Sequence, residues 1–136
     1  MKNNNWLSRP VYEKFPALTW EVLIFALILL ATAFTRLFEL GLRPMSHDES
    51  LHTYYSYLFF RDGNYLHNPM MHGPFQFHII ALTYFLAGVT DFTARFPAAL
   101  FSIASVWMIW YWRRYLGKWG ALAAAFMALI SPYFMY

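Results

Sequence analysis

"WEVLIFALILLATAFTRLFELG", residues 20–41, is an apolar run of 22 residues in which only Glu21, Arg36 and Glu39 are charged. Wound as a helix it extends about 33 Å, enough to cross a hydrocarbon core of about 30 Å. The small residues "ATA" at 31–33 resemble a signal-peptide cleavage site, so a secretory signal is the competing reading. Against it, the apolar stretch continues through Phe34, Leu37, Phe38 and Leu40 and follows a long polar leader. The run is therefore read as a spanning helix.

Working outward, the rest of the chain has the same character. It is 60% hydrophobic, 22% aromatic and 12% charged, the last figure about half of the roughly 25% usual in soluble domains. There is no cysteine, hence no disulfide framework and no thiolate metal site. A net charge of +3, gathered in two clusters rather than in a stripe with exposed aromatics, argues against nucleic acid as a partner. The closing stretch "GALAAAFMALISPYFMY" is still apolar where the sequence stops, as expected of a piece of a longer membrane protein.

Two further runs, 92–115 and 119–136, approach or reach spanning length. Between them and the first lies "PFQFHIIALTYFLAGV", 74–89, which would reach only about 24 Å as a helix. Charge decides how to treat it, because Lys and Arg accumulate on the cytoplasmic side of short loops. The leader carries Lys2, Arg9 and Lys14, and the turn "RRYLGK" carries Arg113, Arg114 and Lys118. Both clusters fall on one side only if 74–89 does not span. The pattern agrees, with Phe75, Ile79, Leu82, Leu86 and Val89 on one face and Gln76, Thr83 and Thr90 on another, as in a helix lying along a membrane surface. A short or tilted fourth span is the alternative.

The expected architecture is thus an all-α, polytopic membrane protein with three spans. A cytoplasmic leader 1–19 precedes the span 20–41. An extracytoplasmic loop 42–91 carries surface helices near 48–61 and 74–89. The span 92–115, a cytoplasmic turn 116–118 and the span 119–136 complete it. In "SHDE", Ser46 and Glu49 stand at capping-box spacing, so a helix should start there and stop near "RDGN". Its N-terminus would favour anions.

Asp48 and Glu49 open that helix at the membrane surface. One reading makes them first-turn residues that complement the helix dipole. The other makes one of them a general base toward a hydroxyl or amine, partly desolvated at the lipid boundary; a divalent cation is compatible with the same carboxylates. His52, four residues after Asp48, could orient that carboxylate or share a metal, although packing is the commoner role of one histidine among aromatics. His47, His67, His72 and His78 raise a histidine metal or haem site, but their spacing matches no HxxxH or HExxH pattern. Tyr54, Tyr55 and Tyr57 read as interface anchors.

The order of these pieces resembles the GT-C membrane glycosyltransferases, which include protein O-mannosyltransferases, aminoarabinose transferases and oligosaccharyltransferases. The resemblance begins at "TRLFELGLRPMSHDESLHTYYSYLF", where Arg36, Asp48 and Glu49 match the arginine at the outer end of the first span and the Asp-Glu pair of the first outer loop. It continues through the proline-started helix after "MHG", "ARFPAALF" at the start of the next span, the basic turn "RRYLG" and the exit "SPYFMY", and so covers residues 33–136.

The resemblance implies transfer of a sugar from a polyprenyl-phosphate-linked donor to a protein, lipid or glycan acceptor on the extracytoplasmic face. Asp48 would be the base, with Glu49 beside it positioning the acceptor or the local fold. Arg95, at the outer end of its span, is a candidate contact for the donor phosphate, with snorkelling to lipid headgroups as the alternative. His72 stands where many relatives carry a lysine and is the second candidate for the phosphate. Arg36 is a supporting residue expected to pair with Glu39 one helical turn on. Two other functions compete: a non-catalytic membrane subunit or scaffold of the same fold, and a histidine metal or haem protein.

Overall fold

The computed structural model describes residues 5–42, 44–63, 65 and 73–131. Among them the chain is helical: a 3-10 turn Trp6–Ser8, then α1 (Trp20–Leu37), α2 (His47–Asp62), α3 (Pro74–Ala87) and α4 (Asp91–Ile130). No strand occurs among the described residues beyond one isolated bridge between Pro10 and Thr19. Helices α1 and α4 are long and apolar enough to cross a membrane, so the expected all-α membrane class holds. The chain divides into two compact units. One is formed by the residues up to Arg36 together with those from Phe101 onward, the other by Leu37–Leu100.

The first unit is a helical bundle made by a reversal at Gly117. The two runs expected at 92–115 and 119–136 belong to the single element α4, whose helical geometry breaks at Gly117 with φ 71° and ψ 170°. That conformation is open to glycine and almost no other residue. Val106 before the break and Leu122 and Ala125 after it share a core with Phe25 of α1 and with Leu7. A straight helix would separate Val106 from Leu122 by about 24 Å, so the two arms of α4 must fold back on one another. Residues 132–136 of the expected third span lie outside the described residues.

Polar groups in this bundle find partners inside it, as hydrocarbon surroundings require. The Thr32 hydroxyl, fully buried, donates to the Ile28 carbonyl at 2.8 Å. Arg36 does not pair with Glu39. Helical geometry stops at Leu37, and Glu39 takes a left-handed φ of 54°, so the regular spacing that would bring Glu39 over Arg36 is lost. The buried Arg36 guanidinium instead donates to Ser102 Oγ (3.2 Å) and to the carbonyls of Ala128 (3.0 Å) and Leu129 (3.2 Å). Those carbonyls belong to the last turn of α4, where a helix has no amide donors of its own for them and a cation is favoured. Arg36 therefore serves as the cap of a helix some ninety residues away in sequence.

At the other end of the same bundle the leader is folded. Leu7 is fully buried in the core. Glu21, in the first turn of α1, lies 3.3 Å from Lys118 and 3.6 Å from Arg113. The start of α1 and the Gly117 turn thus share one end of the unit, and Arg36 with Ser102 marks the opposite end.

The second unit is built on α2 against α3. Ser46 and Glu49 form the expected capping box, the Glu49 amide donating to Ser46 Oγ (3.3 Å) and the Ser46 amide to Glu49 Oε2 (2.9 Å). Gly63, left-handed at φ 65°, ends α2. Pro74 opens α3, where its missing N–H costs nothing. The packed face of α3 is Phe77, Ile80, Ala81 and Tyr84. The stripe Phe75, Leu82, Leu86 and Val89 stays largely exposed among the described residues, so α3 carries a second apolar face. Pro97 deprives the Thr93 carbonyl of its helical partner. Thr83 Oγ1 donates to that same carbonyl at 3.0 Å, which lets a proline sit inside α4 without leaving an orphaned acceptor.

Candidate active site

The capping box fixes how the two carboxylates divide. Glu49 Oε2 accepts from the Ser46 amide and also from Arg95 Nη2 at 3.3 Å. Arg95 Nη1 donates to the Leu40 carbonyl at 2.8 Å, and its side chain is 10% exposed. The clasp therefore joins the N-terminus of α2, the segment after α1 and the first turns of α4. Burial raises the proton affinity of Glu49, but the Ser46 amide and the Arg95 guanidinium outweigh it, holding the carboxyl below the usual carboxylate range. Glu49 is thereby a poor proton acceptor and a good anchor.

Asp48 is the opposite case. It is exposed and makes no hydrogen bond or ion pair among the described residues. It sits in the first turn of α2 beside free helical amides, where negative charge is favoured. A carboxylate so placed, one residue from an anchored neighbour, has the freedom to meet an incoming hydroxyl.

The remaining expected residues fall differently. His52 is buried, its ring 4.9 Å from that of Phe77, so it packs α2 on α3 and does not orient Asp48. Arg95 does not snorkel, because its guanidinium is held by Glu49 and Leu40. Arg36 belongs to the helical bundle of the other unit. His72 lies outside the described residues, as does His67. Among the described residues no three His, Asp or Glu side chains converge to hold a metal ion.

Sequence reasoning missed a groove. Along α2 an open depression of about 700 Å³ is lined by Met45, Ser50, Thr53, Tyr54, Tyr57, Phe60, Tyr84 and Val89, and the surface it presents is almost wholly apolar. Its size falls within the range of small-molecule sites, roughly 300–1,000 Å³. The spacing of Ser50, Thr53, Tyr54 and Tyr57 at i, i+3, i+4 and i+7 was the available signal.

With the geometry in place, comparison with known proteins adds one finding. Residues 71–136 match the family model described as dolichyl-phosphate-mannose-protein mannosyltransferase. The match supports a membrane glycosyltransferase of the GT-C type and a mannosyltransferase-like activity class. It contains α3, Arg95 and α4, and it leaves out Asp48 and Glu49. The clasp between Arg95 and Glu49 links the matched segment to the unmatched one. No curated protein and no solved structure matches the chain significantly.

Proposed function

We propose that this chain forms the catalytic first part of a glycosyltransferase that moves a sugar from a polyprenyl-phosphate-linked donor to an acceptor hydroxyl on the extracytoplasmic face. The observation that carries the proposal is the division of labour between neighbours: Glu49 anchored by Ser46 and Arg95, Asp48 left exposed. Asp48 takes the proton of the acceptor hydroxyl as its oxygen attacks the anomeric carbon. The bond from that carbon to the phosphate oxygen breaks, and the lipid phosphate leaves with the electron pair. Arg95, already holding Glu49, is the nearest candidate for the leaving phosphate, with His72 as a second. The groove beside Ser50, apolar and lined by aromatic rings, suits the prenyl tail or a ring face of the donor better than its hydroxyls.

The topology belongs to the same proposal. Both junctions of the first unit, Arg36 and Ser102, lie at one end, so the intervening chain leaves and returns on the same side. On this reading an even number of segments crosses between them, and helix α3 lies at the surface with its exposed stripe toward lipid.

Replacing Asp48 by asparagine in the full-length protein tests the assignment. Transfer from a polyprenyl-phosphate sugar should drop by about 10² or more, the scale of general base catalysis. Thermal unfolding should change by no more than about 0.3–1 kcal/mol, the worth of one charge at a helix N-terminus, because Asp48 makes no hydrogen bond or ion pair among the described residues. Unchanged transfer with an intact fold would remove Asp48 as the base; no transfer by the wild-type protein, with partner assembly untouched by Asp48→Asn, would instead favour the non-catalytic scaffold.

A further inference from the structure

The leader is the least membrane-like part of the sequence, yet its fold places aromatic side chains at the mouth of the bundle. Its closure is made by backbone: the Val11 amide donates to the Leu18 carbonyl at 2.8 Å, the Trp20 amide to the Arg9 carbonyl at 3.2 Å, and Pro10 bridges Thr19. Two tight turns, Tyr12 to Phe15 and Phe15 to Leu18, shape the tip. At that tip Tyr12, Phe15 and Leu18 are exposed, with the rings of Tyr12 and Phe15 6.3 Å apart. A closed loop that buries none of its large apolar side chains has been shaped to present them.

Three observations identify what they meet. The loop closes on Trp20, the first residue of α1, so its tip cannot leave the level where that helix ends. Trp6 stands between Trp20 (6.3 Å) and Trp119 (5.8 Å), and such indole clusters collect at the headgroup layer. Arg9, Lys14, Arg113, Arg114 and Lys118 outnumber the carboxylates Glu13 and Glu21 at this end, which favours an anionic surface.

We propose that residues 9–19 form an interfacial anchor: a closed loop whose Tyr12, Phe15 and Leu18 side chains enter the headgroup layer of an anionic leaflet, with Glu13 and Lys14 on the water side. The anchor holds the helical bundle at a fixed depth, because Leu7 in the core and Lys118, which donates to Ser8 Oγ, tie the loop to both arms of α4. It rests on the reading of α1 and α4 as membrane helices.

The absence of cysteine makes the test direct. Single-cysteine variants Ala17→Cys, Glu13→Cys and Leu30→Cys of the full chain carry a nitroxide in nanodiscs containing anionic phospholipid. Collision with oxygen and with a water-soluble nickel chelate reports depth. Leu30, exposed in the middle of α1, reports independently whether that helix meets lipid. Ala17 is expected to be oxygen-accessible and shielded from nickel, and Glu13 to be nickel-accessible. The double change Tyr12→Ser and Phe15→Ser should return Ala17 to water while Leu30 stays in lipid. Ala17 as open to nickel as Glu13, with Leu30 still in lipid, would overturn the anchor alone. Ala17 shielded from both quenchers would overturn it in favour of a protein partner, and Leu30 open to nickel would overturn the membrane reading beneath it.

Discussion

Arg95 donates to Glu49 Oε2 at 3.3 Å across forty-six residues of sequence, and the same guanidinium holds the Leu40 carbonyl at 2.8 Å. One side chain therefore sets where α2 begins relative to the two segments that flank it. The residue so positioned is Asp48, which makes no hydrogen bond or ion pair among the described residues. Positioning and proton transfer are assigned to adjacent residues, and the two can be separated by mutation.

Glu49→Gln and Arg95→Ala should not cost the same. The Glu49 side chain is 42% exposed, so its ionic coupling to Arg95 is worth about 0.5–1 kcal/mol. Arg95→Ala also releases the Leu40 carbonyl and should cost about 1–3 kcal/mol. A double-mutant cycle by thermal unfolding in detergent measures the coupling. Additive single effects would show that the clasp contributes nothing. Glu49 acts through Asp48, so Glu49→Gln should lower transfer less than Asp48→Asn does, whereas Arg95→Ala also removes the proposed phosphate contact and should lower transfer more than Glu49→Gln does.

The clasp also predicts acid sensitivity. The Glu49 carboxyl is held lower in the folded chain than the roughly 4.3 of an unfolded glutamate. A depressed group contributes stability that is present above its unfolded value and is lost as pH falls through its folded value. Unfolding midpoints of the wild-type chain should therefore fall below about pH 4 more steeply than those of Glu49→Gln. Parallel profiles would remove Glu49 as a source of pH dependence, with Asp62, also held low by its Arg61 partner, as the control.

Much of this was legible in sequence. The capping box, the proline start of α3 and the long apolar runs are local signals, and each appeared where its chemistry required. What hydropathy could not show was where hydrogen bonding stops, so α1 ends at Leu37 while its apolar residues continue. It could not show pairing over long separations either. Arg36 has a carboxylate three residues away but caps the end of α4, because burial in the bundle leaves backbone carbonyls as its nearest acceptors. The leader was read as a polar tail since its charges are local and the docking of Leu7 is not. The groove beside Ser50 needs α3 opposite α2, which no single periodicity reveals.

Gly117→Ala tests the reversal. No atom lies within 4 Å of the added methyl, so the change introduces backbone strain without a clash. At φ 71° and ψ 170° that strain is about 1–3 kcal/mol. Unfolding of the bundle should shift by that amount, whereas at Gly120, a helical residue, an added methyl would meet Leu116 Cβ at 3.3 Å and would probe packing, not backbone strain. Gly117→Ala without loss would argue that the chain passes Gly117 as a continuous helix.

Arg36→Leu should lose about 1.5–3 kcal/mol, the worth of hydrogen bonds to a charged group, since the carbonyls of Ala128 and Leu129 and the Ser102 hydroxyl lose their donor together. Arg36→Lys keeps the charge but replaces a planar fork by one point donor, so it should recover only part of the loss. Full recovery by lysine would mean that charge alone, acting on the helix end, is what stabilises the bundle there. Denaturant unfolding of the three proteins decides.

Glu21 meets Arg113 and Lys118, which puts the leader and the Gly117 turn at one end of the first unit. If α1 and the first arm of α4 both cross, residues 37–100 must be served from the other face of the membrane. Single cysteines at Tyr115 and at Ser50 in the cysteine-free chain, labelled in sealed, oriented vesicles with an impermeant thiol reagent, read this directly. Tyr115→Cys should react only from the cytoplasmic side, where Lys and Arg collect, and Ser50→Cys only from the opposite one. Reaction of both from the same side would mean that an even number of segments crosses between them, α3 in addition to the first arm of α4, and Asp48 could then not face an extracytoplasmic acceptor.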